Sequence, residues 1–159
     1  MNQTHFKPAS LSNRPPLYGK SDPYAEQTEM AKYFTLLKNM KILVVEDLLD
    51  NQLLIKLVLR PTYAQVDIAS TGSDGVALAT SKSYDAILMD IQMPFMDGHE
   101  ATRMIRSYGC TTPVIALTAN ALDEERLKCV ASGFNEFITK PLDLRTLLRT
   151  LAQYAPQVD

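Results

Sequence analysis

The chain has 159 residues, of which 46% are hydrophobic and 21% charged. That is ordinary globular composition, and it excludes both a wholly disordered chain and two separately cored domains. Sixteen Lys plus Arg against eighteen Asp plus Glu give a net charge of -2, which excludes a polyphosphate-binding surface as the main purpose, so no direct nucleic-acid partner is expected. The longest apolar runs, such as Ile42 to Val45 and Ala86 to Met89, fall far short of the roughly 20 residues that cross a bilayer. Residues 1 to 20 carry Lys7 and Arg14 without the apolar centre of a secretory signal, so a cytoplasmic location without membrane insertion is expected. Cys110 and Cys129 lack any CxxC spacing, which indicates neither a zinc site nor a disulfide framework.

Taken in chain order, residues 1–22 are rich in Pro, Ser, Asn and Lys with no apolar period, and are expected to form a flexible tail. Asp22 can cap and Pro23 can open a helix over about 23–38, striped by Met30, Tyr33, Phe34 and Leu37; residues 23–40 then either pack onto the domain or serve as a connector or self-association helix. From Lys41 the pattern becomes short apolar runs, Ile42 to Val45, Val66 to Ala69, Ala86 to Met89, Val114 to Leu117 and Phe134 to Ile138. Segments of helical period separate them, marked by Leu53, Leu54, Leu57 and Val58, then Val76 to Leu78, then Ala101, Met104 and Ile105. Leu122, Leu127 and Val130 mark the fourth segment, and Leu144, Leu147, Leu148 and Leu151 the last. Strands apolar on both faces, alternating with helices, predict an α/β fold with a doubly wound, five-stranded parallel sheet over residues 41–154, followed by a tail at 155–159. Only a few residues follow the last helix, so no output domain is expected.

An open sheet of this kind places its site at the carboxyl ends of the strands. The residues found there are Glu46 and Asp47 after the first strand, Asp90 after the third, Thr118 after the fourth and Lys140 after the fifth. Two unit charges about 4 Å apart repel by about 4 kcal/mol at an effective dielectric near 20, so three convergent carboxylates call for Lys140 and a hard divalent cation, Mg²⁺. A carboxylate is an accepted phosphate nucleophile, which makes Asp90 the candidate, with Thr118 and Lys140 on the phosphoryl oxygens and Glu46 and Asp47 on the metal. Each residue alone has a plainer explanation: Glu46-Asp47 as a solvated strand end, Asp97-Gly98 as a turn and cap, and Gly72 to Gly75 as the start of a helix. Their joint placement is what the plainer explanations do not cover.

These residues carry a resemblance to the receiver domain of two-component response regulators. It rests on Lys41-Ile-Leu-Val-Val-Glu-Asp47, Met89-Asp-Ile-Gln-Met-Pro-Phe-Met-Asp-Gly98, Val114-Ile-Ala-Leu-Thr-Ala119 and Phe137-Ile-Thr-Lys-Pro141. The resemblance implies the (βα)5 flavodoxin-like receiver fold, with Asp90 as phosphoacceptor, Glu46 and Asp47 as the acidic pair, and Thr118 as the switch hydroxyl. It further implies a Mg²⁺ shell completed by the Gln92 main-chain carbonyl, a cis peptide at Lys140-Pro141, and Phe137 as the switch aromatic, with burial favouring its inward rotamer. Leu48 stands where related receivers often have Asn, while Asn51 and Gln52 keep the rest of that pattern. Gln92 and Asn120 occupy the positions that tune hydrolysis of the aspartyl phosphate.

The partners so implied are a histidine kinase or a histidine phosphotransfer protein as donor and a downstream protein as recipient, with a homodimer on phosphorylation as a further option. The usual signalling face of the family is the fifth strand with the helices after the fourth and fifth strands. The chain would be a switch or relay rather than a turnover enzyme, either stand-alone or part of a hybrid sensor kinase. Two other readings stand beside this one. A haloacid dehalogenase-like phosphatase would carry a second Asp two residues after the nucleophile, where this sequence has Gln92. A degenerate receiver acting only as a protein-binding scaffold would have no reason to combine Glu46, Asp47, Asp90, Thr118 and Lys140.

Overall fold

The computed structural model describes residues 23–157; the tail expected at 1–22, with the cap expected at Asp22, and residues 158–159 lie outside the described residues. Helix α1 (Pro23–Leu36) leads into five βα units: β1 (Lys41–Val45) and α2 (Leu49–Leu59), β2 (Gln65–Ala69) and α3 (Gly72–Ser81), β3 (Ala86–Asp90) and α4 (Gly98–Ser107), β4 (Val114–Thr118) and α5 (Asp123–Ser132), β5 (Glu136–Thr139) and α6 (Leu144–Ala152). The five strands form one parallel sheet in the order β2-β1-β3-β4-β5. The chain moves outward from β1 to β2 and then returns to the other side of β1, so the topological switch point lies between β1 and β3.

Side chains alternate across each strand and divide the core into two layers. Ile42, Val44, Leu88, Ile115 and Leu117 pack with Ile55, Leu59, Leu147, Leu148 and Leu151 of α2 and α6. Leu43, Val45, Ile87, Met89, Val114 and Ala116 pack with Val76, Ala79, Ala101 and Ile105 of α3 and α4. Helix α1 joins the first layer by burying Tyr33, and the turn after it adds Leu37 and Met40; Arg145 of α6 reaches Glu26 at 3.3 Å and Glu29 at 3.9 Å. Among the described residues, no helix is long and apolar enough to cross a membrane.

The structure departs from the sequence expectations in three places. The fifth strand starts at Glu136 rather than Phe134; Gly133 ends α5 in the left-handed region at φ +97°, and Phe134 turns into the core with its amide bonded to the Cys129 carbonyl. The residues of α2 that meet the sheet are Gln52, Ile55 and Leu59, whereas Leu53, Leu54 and Leu57 face outward. On α5, Cys129 and Ser132 are buried while Leu127 and Val130, like the preceding Leu122, are exposed. Helix α2 carries more apolar residues than one face of the sheet can cover, and the surplus lies on the outside.

Candidate functional site

Strands β1 and β3 end side by side and deliver Glu46, Asp47 and Asp90 to the switch point. Asp90 closes β3 at 3% exposure and Glu46 follows β1 at 0%. One carboxylate oxygen from each of the three residues lies within 4.8 Å of the other two. Lys140 enters from the end of β5, where its amide donates to the Thr118 carbonyl at 2.7 Å and the Lys140–Pro141 peptide is cis. Its Nζ donates to Asp90 Oδ1 at 3.0 Å and to Glu46 Oε2 at 3.2 Å.

One ammonium facing three carboxylates leaves the site negative. Burial raises the Asp90 carboxyl above its usual value; the hydrogen bond from Lys140 opposes this, and the neighbouring Glu46 charge adds to it. Burial works against the Lys140 ammonium, but the hydrogen bond and charge of Asp90, with Glu46, outweigh it and hold the amine above its usual value. Asp47 Oδ1 is the telling atom: it is buried and has no hydrogen-bond partner. An orphaned buried carboxylate oxygen beside two further carboxylates suits a hard divalent cation, which takes oxygen ligands and removes the repulsion.

The surrounding backbone holds these groups in place. The Leu48 amide donates to Glu46 Oε1 at 3.1 Å and the Gln92 amide to Asp90 Oδ1 at 3.3 Å, while the Gln92 side chain is exposed. Gln52 on α2 is buried and donates through Nε2 to the Glu46 carbonyl at 2.7 Å and to Ser70 Oγ at 3.1 Å, which fixes the main chain that aims the acidic pair. Sequence reasoning singled out no function for Gln52; the available signal was a polar residue in phase with Ile55 and Leu59. Helix α4 begins against the site, where a Cβ at Gly98 would overlap the Asp90 carbonyl, so only glycine lets the helix start there. Asp97 caps it by accepting from the Glu100 amide at 2.8 Å.

Thr118 is buried at the end of β4, but its hydroxyl does not bond to Asp90. It donates to the Asn120 carbonyl at 3.1 Å and accepts from the Asn120 amide at 3.0 Å. Phe137 is half-buried, with the Arg126 guanidinium 4.7 Å above its ring. A cation over the ring face accounts for a phenylalanine that is not fully enclosed. Leu48, Leu49, Leu53 and Phe95 are exposed, Leu49 at 75%.

Comparisons with known proteins agree with this arrangement. The family model of the response regulator receiver domain matches residues 42–152. The chain is 40% identical over 120 residues to the sensor histidine kinase RcsC of Salmonella typhimurium, covering 76% of this chain and 13% of that protein. It is 36% identical over 142 residues to histidine kinase 5 of Arabidopsis thaliana, covering 72% of this chain and 15% of that one. The chain thus spans a small part of these relatives' length. Among solved structures, the receiver domain of a Pseudomonas aeruginosa sensor histidine kinase, with a magnesium ion coordinated in its active site cleft, matches with TM-score 0.68 at 40% identity, covering 74% of this chain and 98% of that one. The receiver domain of the Saccharomyces cerevisiae response regulator Ssk1, co-crystallised with the histidine phosphotransfer protein Ypd1, matches with TM-score 0.71 at 26% identity, covering 75% of this chain and 90% of that one. Fold, strand-end carboxylates and family match converge, and the chain belongs to the response regulator receiver domain family of two-component signalling systems.

Proposed function

We propose that residues 41–154 form a receiver that takes a phosphoryl group from a phosphohistidine onto Asp90 and signals the event to a partner protein. The observation that carries this reading is the buried Asp47 Oδ1 without a partner, beside Glu46 and Asp90. Glu46, Asp47, Asp90 and the Gln92 main-chain carbonyl would hold Mg²⁺, which supplies positive charge to the phosphoryl oxygens. An Asp90 carboxylate oxygen forms the new O–P bond as the P–N bond breaks, and the imidazole leaves with that electron pair and takes a proton from solvent. Lys140 already lies against Asp90 Oδ1 at 3.0 Å and balances charge as the phosphoryl group arrives.

The new dianion is a stronger acceptor for the Thr118 hydroxyl than the Asn120 carbonyl. Turning toward it breaks both bonds to Asn120 and frees the segment that leads into α5. The same helix carries Arg126 over Phe137, so the change reaches the face formed by α5, β5 and α6, where a downstream protein or a second copy would read it. The donor, a histidine kinase or a histidine phosphotransfer protein, docks on the apolar rim made by Leu48, Leu49, Leu53 and Phe95. As a phosphoacceptor the domain changes state once per phosphoryl group, and it acts in the cytoplasm.

Intact-mass analysis after incubation with a phosphohistidine protein and Mg²⁺ tests this. The expected result is one added phosphoryl group, labile to hydroxylamine and absent from Asp90→Asn and from samples in EDTA. An adduct that persists in Asp90→Asn, or a wild-type chain that takes none and binds no Mg²⁺, leaves the phosphorylation-independent scaffold as the better reading.

A further inference from the structure

A second group of metal-ligating side chains, separate from the three carboxylates, lies between α4 and α5. His99 places Nε2 2.8 Å from Glu125 Oε1 and Nδ1 2.9 Å from Ser132 Oγ. Glu125 and Cys129 stand four residues apart on α5 and therefore share a face. One donor atom from each of His99, Glu125 and Cys129 lies within 4.8 Å of the other two. Cys129 is 3% exposed, the His99 and Glu125 side chains are 13% and 16% exposed, and the Phe134 ring stands edge-on to the imidazole with centroids 5.6 Å apart.

We propose that His99, Glu125 and Cys129 form a second metal site, for a borderline-soft divalent ion of the zinc class. Nitrogen, oxygen and sulfur in one cluster is a zinc-type donor set; Mg²⁺, which takes oxygen ligands, is served by the carboxylate pocket. Three protein ligands leave a fourth position for water, and a groove lined by Asp97, Arg103, Lys128 and Ser132 opens to solvent beside the cluster. Zinc holds nitrogen at about 2.0 Å and sulfur at about 2.3 Å, so binding requires the His99–Glu125 contact to open and the Cys129 thiol to draw in. Ser132 is the positioning residue: once it accepts from Nδ1–H, the Nε2 lone pair faces the ion.

Charge points the same way. Burial and then the Glu125 carboxylate push the Cys129 thiol up, and a divalent ion would supply the positive charge that a thiolate there needs. Of the cations that line the groove, Arg103 bonds to Ser132 Oγ at 3.3 Å and Lys128 pairs with Glu124 at 3.0 Å. Binding releases the thiol proton to solvent, so affinity rises with pH. Spacing in the sequence could not show this site, because Cys129 finds its partners only when α4 packs on α5. The ion would tie together two helices, one starting beside Asp90 and the other following the Thr118 loop, and its presence does not depend on phosphorylation.

Co²⁺ titration of the full chain in excess Mg²⁺, which fills the carboxylate pocket, tests the site. One equivalent is expected to give the near-ultraviolet thiolate-to-cobalt charge-transfer band, bleached by Zn²⁺. The band should disappear in Cys129→Ser and His99→Gln and persist in Cys110→Ser and Asp90→Asn, while Ser132→Ala weakens Zn²⁺ binding about tenfold. A wild-type chain without the band, a band that survives Cys129→Ser, or one that vanishes in Cys110→Ser overturns the proposal.

Discussion

At the scale of single residues, the decisive feature is charge without compensation. Asp90 is buried beside Glu46, and its carboxyl sits above the ordinary range because burial outweighs the help of Lys140. A carboxyl whose folded value is raised keeps its proton longer in the folded chain than in the unfolded one. Stability from this group is therefore present below the ordinary carboxylate value and is lost as pH rises through the raised value. Asp90→Asn is expected to stabilise the metal-free protein at neutral pH, read as a higher urea midpoint, because the buried charge is removed. The gain should shrink as the pH falls below the usual carboxylate range. Urea unfolding in EDTA at a series of pH values measures it, and a destabilised variant would show that the Lys140 bond dominates instead. Asp47 makes the complementary case, since its Oδ1 has no partner to lose. In the wild type, Mg²⁺ at tenfold over its Kd should add about 1.4 kcal/mol by mass action. Asp47→Asn should keep the fold and lose that increment, read as the shift in urea midpoint on adding Mg²⁺.

At the scale of elements, α2 has two faces with separate purposes. Gln52, Ile55 and Leu59 hold it to the sheet and fix the Glu46 main chain, while Leu49, Leu53, Leu54 and Leu57 face outward. In the function proposed above, these exposed leucines are where the phosphodonor protein docks. Leu53→Asp is expected to change folding stability by less than about 0.5 kcal/mol and to slow phosphoryl transfer from a protein donor about tenfold or more, the loss of one central apolar contact. Labelling by a small phosphodonor should be unchanged, and an equal loss with both donors would move α2 from docking to the chemistry itself. The same helix shows what was legible in the sequence. Alternating strands and helices could be read because three short runs, Ile42 to Val45, Ala86 to Met89 and Val114 to Leu117, are apolar on both faces, a pattern that a covered parallel sheet explains. Placing Glu46, Asp47, Asp90, Thr118 and Lys140 at one edge then needed only the strand ends. Which face of α2 turns inward was not legible, because leucines cover most of its circumference and the selecting contact is polar, from Gln52 to the Glu46 carbonyl. Nor could sequence show that Thr118 bonds to its own loop or that Arg126 covers Phe137, since both depend on how α5 leaves β4.

At the scale of the molecule, the family match begins at Ile42, but the hydrophobic core begins earlier. Tyr33, Leu37 and Met40 pack with Leu59, Leu147 and Leu151, and Tyr33 donates its hydroxyl to Glu29 Oε1 at 2.6 Å. The Arg145 contacts to Glu26 and Glu29 are partly exposed, 41% against 38% and 40%, and surface pairs of this kind contribute little. Apolar burial therefore holds α1 in place, and it does so on α6, one of the helices through which the domain is proposed to signal. A connector that only joined neighbouring segments would tolerate loss of its apolar stripe. A helix inside the core would not: Leu37 is fully buried, and truncating a buried leucine costs about 2 to 5 kcal/mol. Leu37→Ala is expected to lower stability within that range, as a single cooperative urea transition with a lower midpoint. Labelling of Asp90 by a small phosphodonor should be intact below that transition, because Leu37 lies in the layer formed with α6 and touches none of Glu46, Asp47, Asp90 or Lys140. A cost near zero would show that α1 leaves the receiver in solution and acts as a separate linker. A full cost with normal labelling would place the N-terminal boundary of the folding unit in α1, ahead of the first strand.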